Sequence, residues 1–124
     1  MIGIIDYGSG NIFSVSNALK KINISNCIVK DASQIENFST ILLPGVGNFK
    51  SCIDKFKNKN FMDPVLAHVS KGKKIVGICV GMQMLFEFSE ENGLNNGISL
   101  IEGNVTLLKP NKQSSDNKLR LPNK

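Results

Sequence analysis

Short, almost unbroken apolar runs separated by glycine-rich turns set the rhythm of this chain. Ile2–Ile5 is closed by Asp6-Tyr7-Gly8-Ser9-Gly10, residues 27–29 form a second run, and Thr40–Leu43 a third, stopped by Pro44-Gly45-Val46-Gly47. A fourth, over 75–79, leads into Gly77-Ile78-Cys79-Val80-Gly81. Runs this short and continuous predict strands of a parallel sheet covered on both faces. Between them the period changes. Ile12, Val15, Ala18, Leu19 and Ile22 recur at three- and four-residue spacing, which predicts a helix over 11–22 with those residues on one face. Helical segments are also expected over 49–56 and 62–69, the second opened by Asp63-Pro64 and ended by Gly72. Residues 82–88 are expected to form the helix that leaves the fourth strand. The resulting βαβαβαβ order implies right-handed crossovers and an α/β fold: a doubly wound, mostly parallel sheet with helices on both faces. Sites in such sheets form at the carboxyl ends of the strands, where all three glycine turns fall.

Beyond Gly93 the pattern loosens. Residues 98–108 read as extended, 110–117 as a mobile polar loop, and 119–122 as the possible start of another strand. The whole chain of 124 residues is expected to be one domain. No apolar run approaches the ~20 residues that cross a bilayer, and the start lacks the basic region of a signal peptide, so a soluble, cytoplasmic protein is expected. The formal net charge is +5, but Lys109, Lys112, Lys118, Arg120 and Lys124 against Asp116 alone account for most of it. Charge gathered in a polar tail, without interleaved aromatics, argues against a nucleic-acid partner. Three cysteines without a CxxC spacing, and a single histidine, argue against a disulfide framework and a zinc site. Cys27 and Cys52 are expected to be structural, and Met82, Met84, Leu85 and Phe86 to belong to the core.

The segment Gly77-Ile78-Cys79-Val80-Gly81 has the form of a nucleophile elbow, with cysteine in place of the usual serine. A side chain exposed on so sharp a strand-to-helix turn needs small residues two places before and two after. Cys79 would then stand at the start of a helix, where backbone N–H groups favour thiolate, the strong nucleophile. An oxyanion formed there would be held by the N–H of Val80 and by an N–H of the Gly45-Val46-Gly47 turn, from Val46 or Gly47. By spacing alone the alternative stays open that Cys79 is a buried small hydrophobe between strand and helix. Gly8-Ser9-Gly10 lacks the third glycine and the lysine of phosphate-binding loops.

Taken in order, residues 6–11 (Asp-Tyr-Gly-Ser-Gly-Asn), 43–49 (Leu-Pro-Gly-Val-Gly-Asn-Phe) and 77–83 (Gly-Ile-Cys-Val-Gly-Met-Gln) resemble the class I glutamine amidotransferases. With Leu85-Phe86-Glu87 and Ser89-Glu90-Glu91, the resemblance narrows to the glutaminase subunits of imidazole glycerol phosphate synthases. The resemblance implies that Cys79 attacks the side-chain amide of glutamine, that Gly45 and Gly47 line the substrate, and that Gln83 and Glu91 hold it. It further implies that ammonia passes to a (β/α)8-barrel synthase subunit in histidine biosynthesis, with Asn11 facing that partner, and that no metal or organic cofactor takes part.

Three departures qualify this expectation. The family's downstream His-x-Glu pair is absent from these 124 residues; the single histidine, His68, precedes Cys79, has Ser70 two places on, and is expected to be an ordinary helix residue. The domain is therefore expected to be incomplete and, as written, without turnover. Asn48 and Leu121-Pro122-Asn123 also differ from the histidine-pathway pattern, which leaves two other readings: a paralogous amidotransferase subunit supplying ammonia for surface-sugar modification, and a non-catalytic remnant or binding module. Loss of sheet neighbours would expose an apolar edge and favour aggregation.

Overall fold

The computed structural model describes residues 1–108. Four parallel strands, β1 (Ile2–Ile5), β2 (Asn26–Val29), β3 (Thr40–Leu43) and β4 (Lys74–Gly77), form one sheet in the order β2-β1-β3-β4. The chain places β2 on one side of β1 and then crosses back to place β3 on the other. A topological switch point therefore lies between β1 and β3, the place where sites form in sheets of this kind.

The register explains why the strands read as continuous apolar runs. Ile4 stands beside Ile28 and Leu42, and Leu42 beside Val76, so this row faces one side of the sheet. Helix α1 (Ile12–Lys21) lays Ile12, Val15 and Leu19 on it. The opposite row, including Ile5, Val29, Ile41 and Leu43, lies under α2 (Phe49–Asn58) and α3 (Met62–Ser70) in one core with Phe49, Ile53, Phe56, Phe61 and Val65. Fully burying an aliphatic or phenylalanine side chain contributes roughly 1.5–3 kcal/mol, so this second face holds most of the stability. Pro64 sits in the first turn of α3, where its missing N–H costs nothing, and Gly72 ends the helix at φ +80°.

Several expectations are corrected. The βαβαβαβ alternation requires a helix between β2 and β3; the link is instead a short 3-10 turn (Ala32–Asn37), capped by the Asp31 carboxylate accepting from the Ser33 N–H at 2.9 Å. The expected helix over 82–88 is instead a single turn, α4 (Val80–Gln83), followed by strand β5 (Phe86–Ser89). Phe86 and Phe88 alternate with exposed Glu87 and buried Ser89, a two-residue period that a helical reading of Met84 and Leu85 overrides on paper. Pairing decides the matter. β5 lies between β6 (Asn95–Asn96) and β7 (Ile101–Val105) in a second, three-stranded sheet, so part of the extended stretch over 98–108 is sheet. Ile22 caps the end of α1 and is 64% exposed, and Met82 is 48% exposed, so neither belongs to the core. Met84 and Leu85 do.

Among the described residues no helix is long and apolar enough to cross a membrane. The expectations for residues 110–117 and 119–122, and for the basic tail, lie outside the described residues.

Candidate active site at the switch point

Cys79 follows directly on β4, whose ladder is extended by the Ile78 N–H donating to the Leu43 carbonyl at 2.9 Å. Its backbone is held at φ 56°, ψ −124°. That combination lies outside the left-handed helical well and costs a non-glycine residue roughly 1–3 kcal/mol. Of the other non-glycine residues with positive φ, Asn23, Asn60 and Asn92 are of the type that tolerates it, and Ser99 is the remaining one. The strain presents the thiol: Cys79 is exposed, whereas Cys52 is buried. The buried-hydrophobe reading of Cys79 therefore does not hold.

The glycines around the elbow mark where backbones touch. A Cβ at Gly77 would stand 2.6 Å from the Met82 Cα, and one at Gly81 would run into the Leu43 carbonyl. A Cβ at Gly45 would come within 2.8 Å of both the Gly81 nitrogen and the Tyr7 hydroxyl. The elbow is thus pressed onto the turn that follows β3, and that turn onto the end of β1.

Three successive carbonyls of this turn are tied down. Pro44 accepts from the Tyr7 hydroxyl at 2.7 Å, Gly45 from the Val80 N–H at 3.2 Å, and Val46 from the Ser9 hydroxyl at 3.1 Å and the Cys52 thiol at 3.2 Å. In this conformation the Val80 N–H expected to face an oxyanion is therefore engaged by Gly45, and is freed only when that hydrogen bond opens. Val46 itself is 54% exposed, and Gly47, at φ +91°, has open space on its Cβ side. Tyr7 is fully buried, packed edge-on against Phe56 at 5.7 Å, which in turn stacks on Phe61. Burial foremost, and then the neighbouring Cys52, push its hydroxyl pKa well above the usual tyrosine value, so it serves as a neutral donor.

Gln83 ends α4, its N–H bonded to the Cys79 carbonyl at 3.3 Å, and so stands one helical turn from the thiol. Glu91 is exposed just past β5; its carboxylate accepts from the Phe49 N–H at 2.9 Å, at the first turn of α2 and two residues beyond Gly47. The structure thus places Gly45, Val46, Gly47, Cys79, Val80 and Gln83 on two touching turns at the carboxyl ends of β3 and β4, with Glu91 fastened to the start of α2. Asn11 precedes α1 in an exposed position with no side-chain capping bond, and Gly10 before it packs on Pro44, where a Cβ would lie 2.9 Å away. His68 is elsewhere. It is 2% exposed and its Nε2–H donates to the Lys74 carbonyl at 2.7 Å, at the opposite end of β4. Five residues of extended chain from Lys74 to Cys79 put about 16 Å between that carbonyl and the elbow.

Tyr7, Ser9 and Cys52 were not read from the sequence as site residues. The signal available was positional: Tyr7 and Ser9 lie in a turn at the carboxyl end of β1, next to the switch point. Cys52 carried none, because a helical cysteine on an apolar stripe looks like core.

An elbow at the carboxyl end of β4, faced by a glycine turn from the neighbouring strand β3 in a doubly wound sheet, has the form of the nucleophile turn of an α/β fold. A family model, the CobB/CobQ-like glutamine amidotransferase domain, matches residues 2–121, and the chain belongs to the glutamine amidotransferases. Similar proteins include the imidazole glycerol phosphate synthase subunit HisH of Geobacillus sp. (strain WCH70), 40% identical over 98% of this chain and 57% of that protein. The HisH subunit of Caldanaerobacter subterraneus subsp. tengcongensis is 46% identical over 90% of this chain and 56% of that protein. A crystal structure of a glutamine amidotransferase superposes with a TM-score of 0.73 over 85% of this chain and 55% of that chain, at 20% identity, which speaks for the fold. The chain spans little more than half the length of these relatives.

Proposed function

We propose that this chain carries the nucleophile half of a glutaminase that serves as a subunit of imidazole glycerol phosphate synthase, delivering ammonia to a (β/α)8-barrel partner for histidine biosynthesis. The observation that carries the reading is Cys79, exposed at a strained elbow at the carboxyl end of β4. In the proposed chemistry the Cys79 sulfur bonds to the side-chain amide carbon of glutamine, the amide oxygen takes the developing charge, and the C–N bond breaks with ammonia leaving protonated. Water then splits the thioester to glutamate and the free thiol. Gln83 and Glu91 orient the substrate, the Glu91 carboxylate pairing with its α-ammonium group while remaining fastened to the Phe49 N–H. Asn11, exposed at the start of α1, faces the partner in this reading.

The histidine and glutamate that would move protons in this cycle are not among these 124 residues, and His68, turned to Lys74, does not replace them. The test separates binding from turnover. A chloroketone shaped like glutamine is expected to alkylate Cys79 in the 124-residue chain, and excess glutamine is expected to slow it; alkylation indifferent to glutamine would sink the proposal. Glutamate release is expected to match the Cys79→Ala background even with the barrel partner present, and release above it would overturn the predicted inactivity of this chain.

A further inference from the structure

Glu91 sits in the short loop between β5 and β6, and both of its backbone groups are held by side chains. Its N–H donates to the Ser89 hydroxyl oxygen at 3.1 Å. Its carbonyl accepts from the Asn95 side-chain amide at 3.4 Å, and the same amide nitrogen lies 3.5 Å from the Asn92 carbonyl and 3.3 Å from that of Gly93. Three acceptors around one nitrogen settle which way round the amide lies, and its two N–H groups can answer two of them at once. Ser89 and Asn95 stand opposite each other in the antiparallel pairing of β5 with β6, so one rung of that ladder supplies both partners. Ser89 is fully buried and Asn95 half-buried. On the other side, the Glu90 N–H donates to the Val105 carbonyl at 2.9 Å and ties the loop's entry to β7. From a backbone fixed in this way the Glu91 side chain crosses to α2, where Oε1 accepts from the Phe49 N–H.

We propose that Ser89 and Asn95 are positioning residues for the glutamine ammonium group: by holding the N–H and the carbonyl of Glu91 they aim its carboxylate, and so set how tightly the substrate is bound. The inference rests on the glutaminase reading, in which Glu91 pairs with that ammonium. Neither side chain touches glutamine; both act through the Glu91 backbone. With Oε1 engaged by Phe49, Oε2 meets the ammonium, and a charge-assisted hydrogen bond of this kind depends on placement. A loop released from its ties has to be ordered again when glutamine binds, which weakens binding. The reaction of the Cys79 thiol with a reagent that carries no ammonium group does not depend on either residue.

The readout is the glutamine concentration that half-protects Cys79 from iodoacetamide, with the adduct followed by mass spectrometry of the Cys79 peptide. Iodoacetamide forms a C–S bond as iodide leaves and makes no demand on Glu91. Asn95→Ala is expected to raise the half-protecting concentration about fivefold, the effect of one neutral hydrogen bond, with the labelling rate in the absence of glutamine unchanged. Ser89→Ala is expected to act in the same direction. In a Glu91→Gln background, where the charge being aimed is already gone, Asn95→Ala is expected to add less than about twofold. An unchanged half-protecting concentration in Asn95→Ala, with its thermal transition intact, overturns the proposal. So does an equal rise in both backgrounds, which would mean that the loop matters to the fold and not to the carboxylate. Where one of the two variants fails to fold, the other gives the same reading against the same background. If glutamine does not protect the parent, the glutaminase reading falls and this inference with it; if it protects and the variants do not separate the backgrounds, only this inference falls.

Discussion

At the scale of single residues, the molecule turns on a cysteine in a conformation that suits glycine. Cys79→Gly is therefore expected to be more stable than Cys79→Ala by about 1 kcal/mol, because glycine populates φ 56°, ψ −124° without steric penalty. Urea unfolding of the two variants measures this; equal midpoints would show that the elbow is unstrained. The flanking glycines have the opposite sign. Gly81→Ala would drive a methyl into the Leu43 carbonyl, so the elbow and the turn after β3 must separate. The expected cost is about 3 kcal/mol or more, seen as a collapse of the thermal transition or loss of soluble protein. A Gly81→Ala protein as stable as the parent would mean that this contact is not made in solution.

At the scale of elements, Glu91 joins the end of β5 to the start of α2, and two roles coincide in one carboxylate. As an acceptor for the Phe49 N–H it serves the helix end; as a charge it is proposed to hold the glutamine ammonium. Glu91→Gln keeps an acceptor and removes the charge. Its stability is expected to change by less than about 1 kcal/mol, while protection of Cys79 by glutamine weakens at least about tenfold. Glu91→Ala is expected to lose both. Glutamine protection that survives in Glu91→Gln would confine this residue to a capping role. His68 provides the contrast. His68→Ala opens a hole between α3 and β4 and leaves the Lys74 carbonyl without its donor, so a loss of about 2 kcal/mol is expected with Cys79 labelling by iodoacetamide unchanged.

At the scale of the whole molecule, β4 has no strand on its outer side among the described residues, and Val76 on it is 47% exposed. A row of unpaired backbone groups beside exposed apolar side chains is a template for pairing. The 124-residue chain is expected to self-associate as its concentration rises, and Val76→Lys to shift it toward monomer, as read by sedimentation. A monomer at all concentrations would show that this edge is covered in solution.

Much of this was determined by the sequence itself. Ile2–Ile5, Thr40–Leu43 and the strand before Cys79 declare themselves because strands buried on both faces are apolar throughout, and the elbow because its glycines are spaced by local geometry. Those constraints are short in range. The exchange of a predicted helix over 82–88 for one helical turn and β5 was decided by pairing with β7, a partner more than a dozen residues away. The exposure of Met82 followed from that shortened turn. The linkage of Tyr7, Ser9 and Cys52 to the turn after β3 arises because parallel strands bring their carboxyl ends together however far apart they lie in the chain. A pattern of neighbours in sequence carries the strain at Cys79; only the packed sheet decides that the Val80 N–H faces the Gly45 carbonyl.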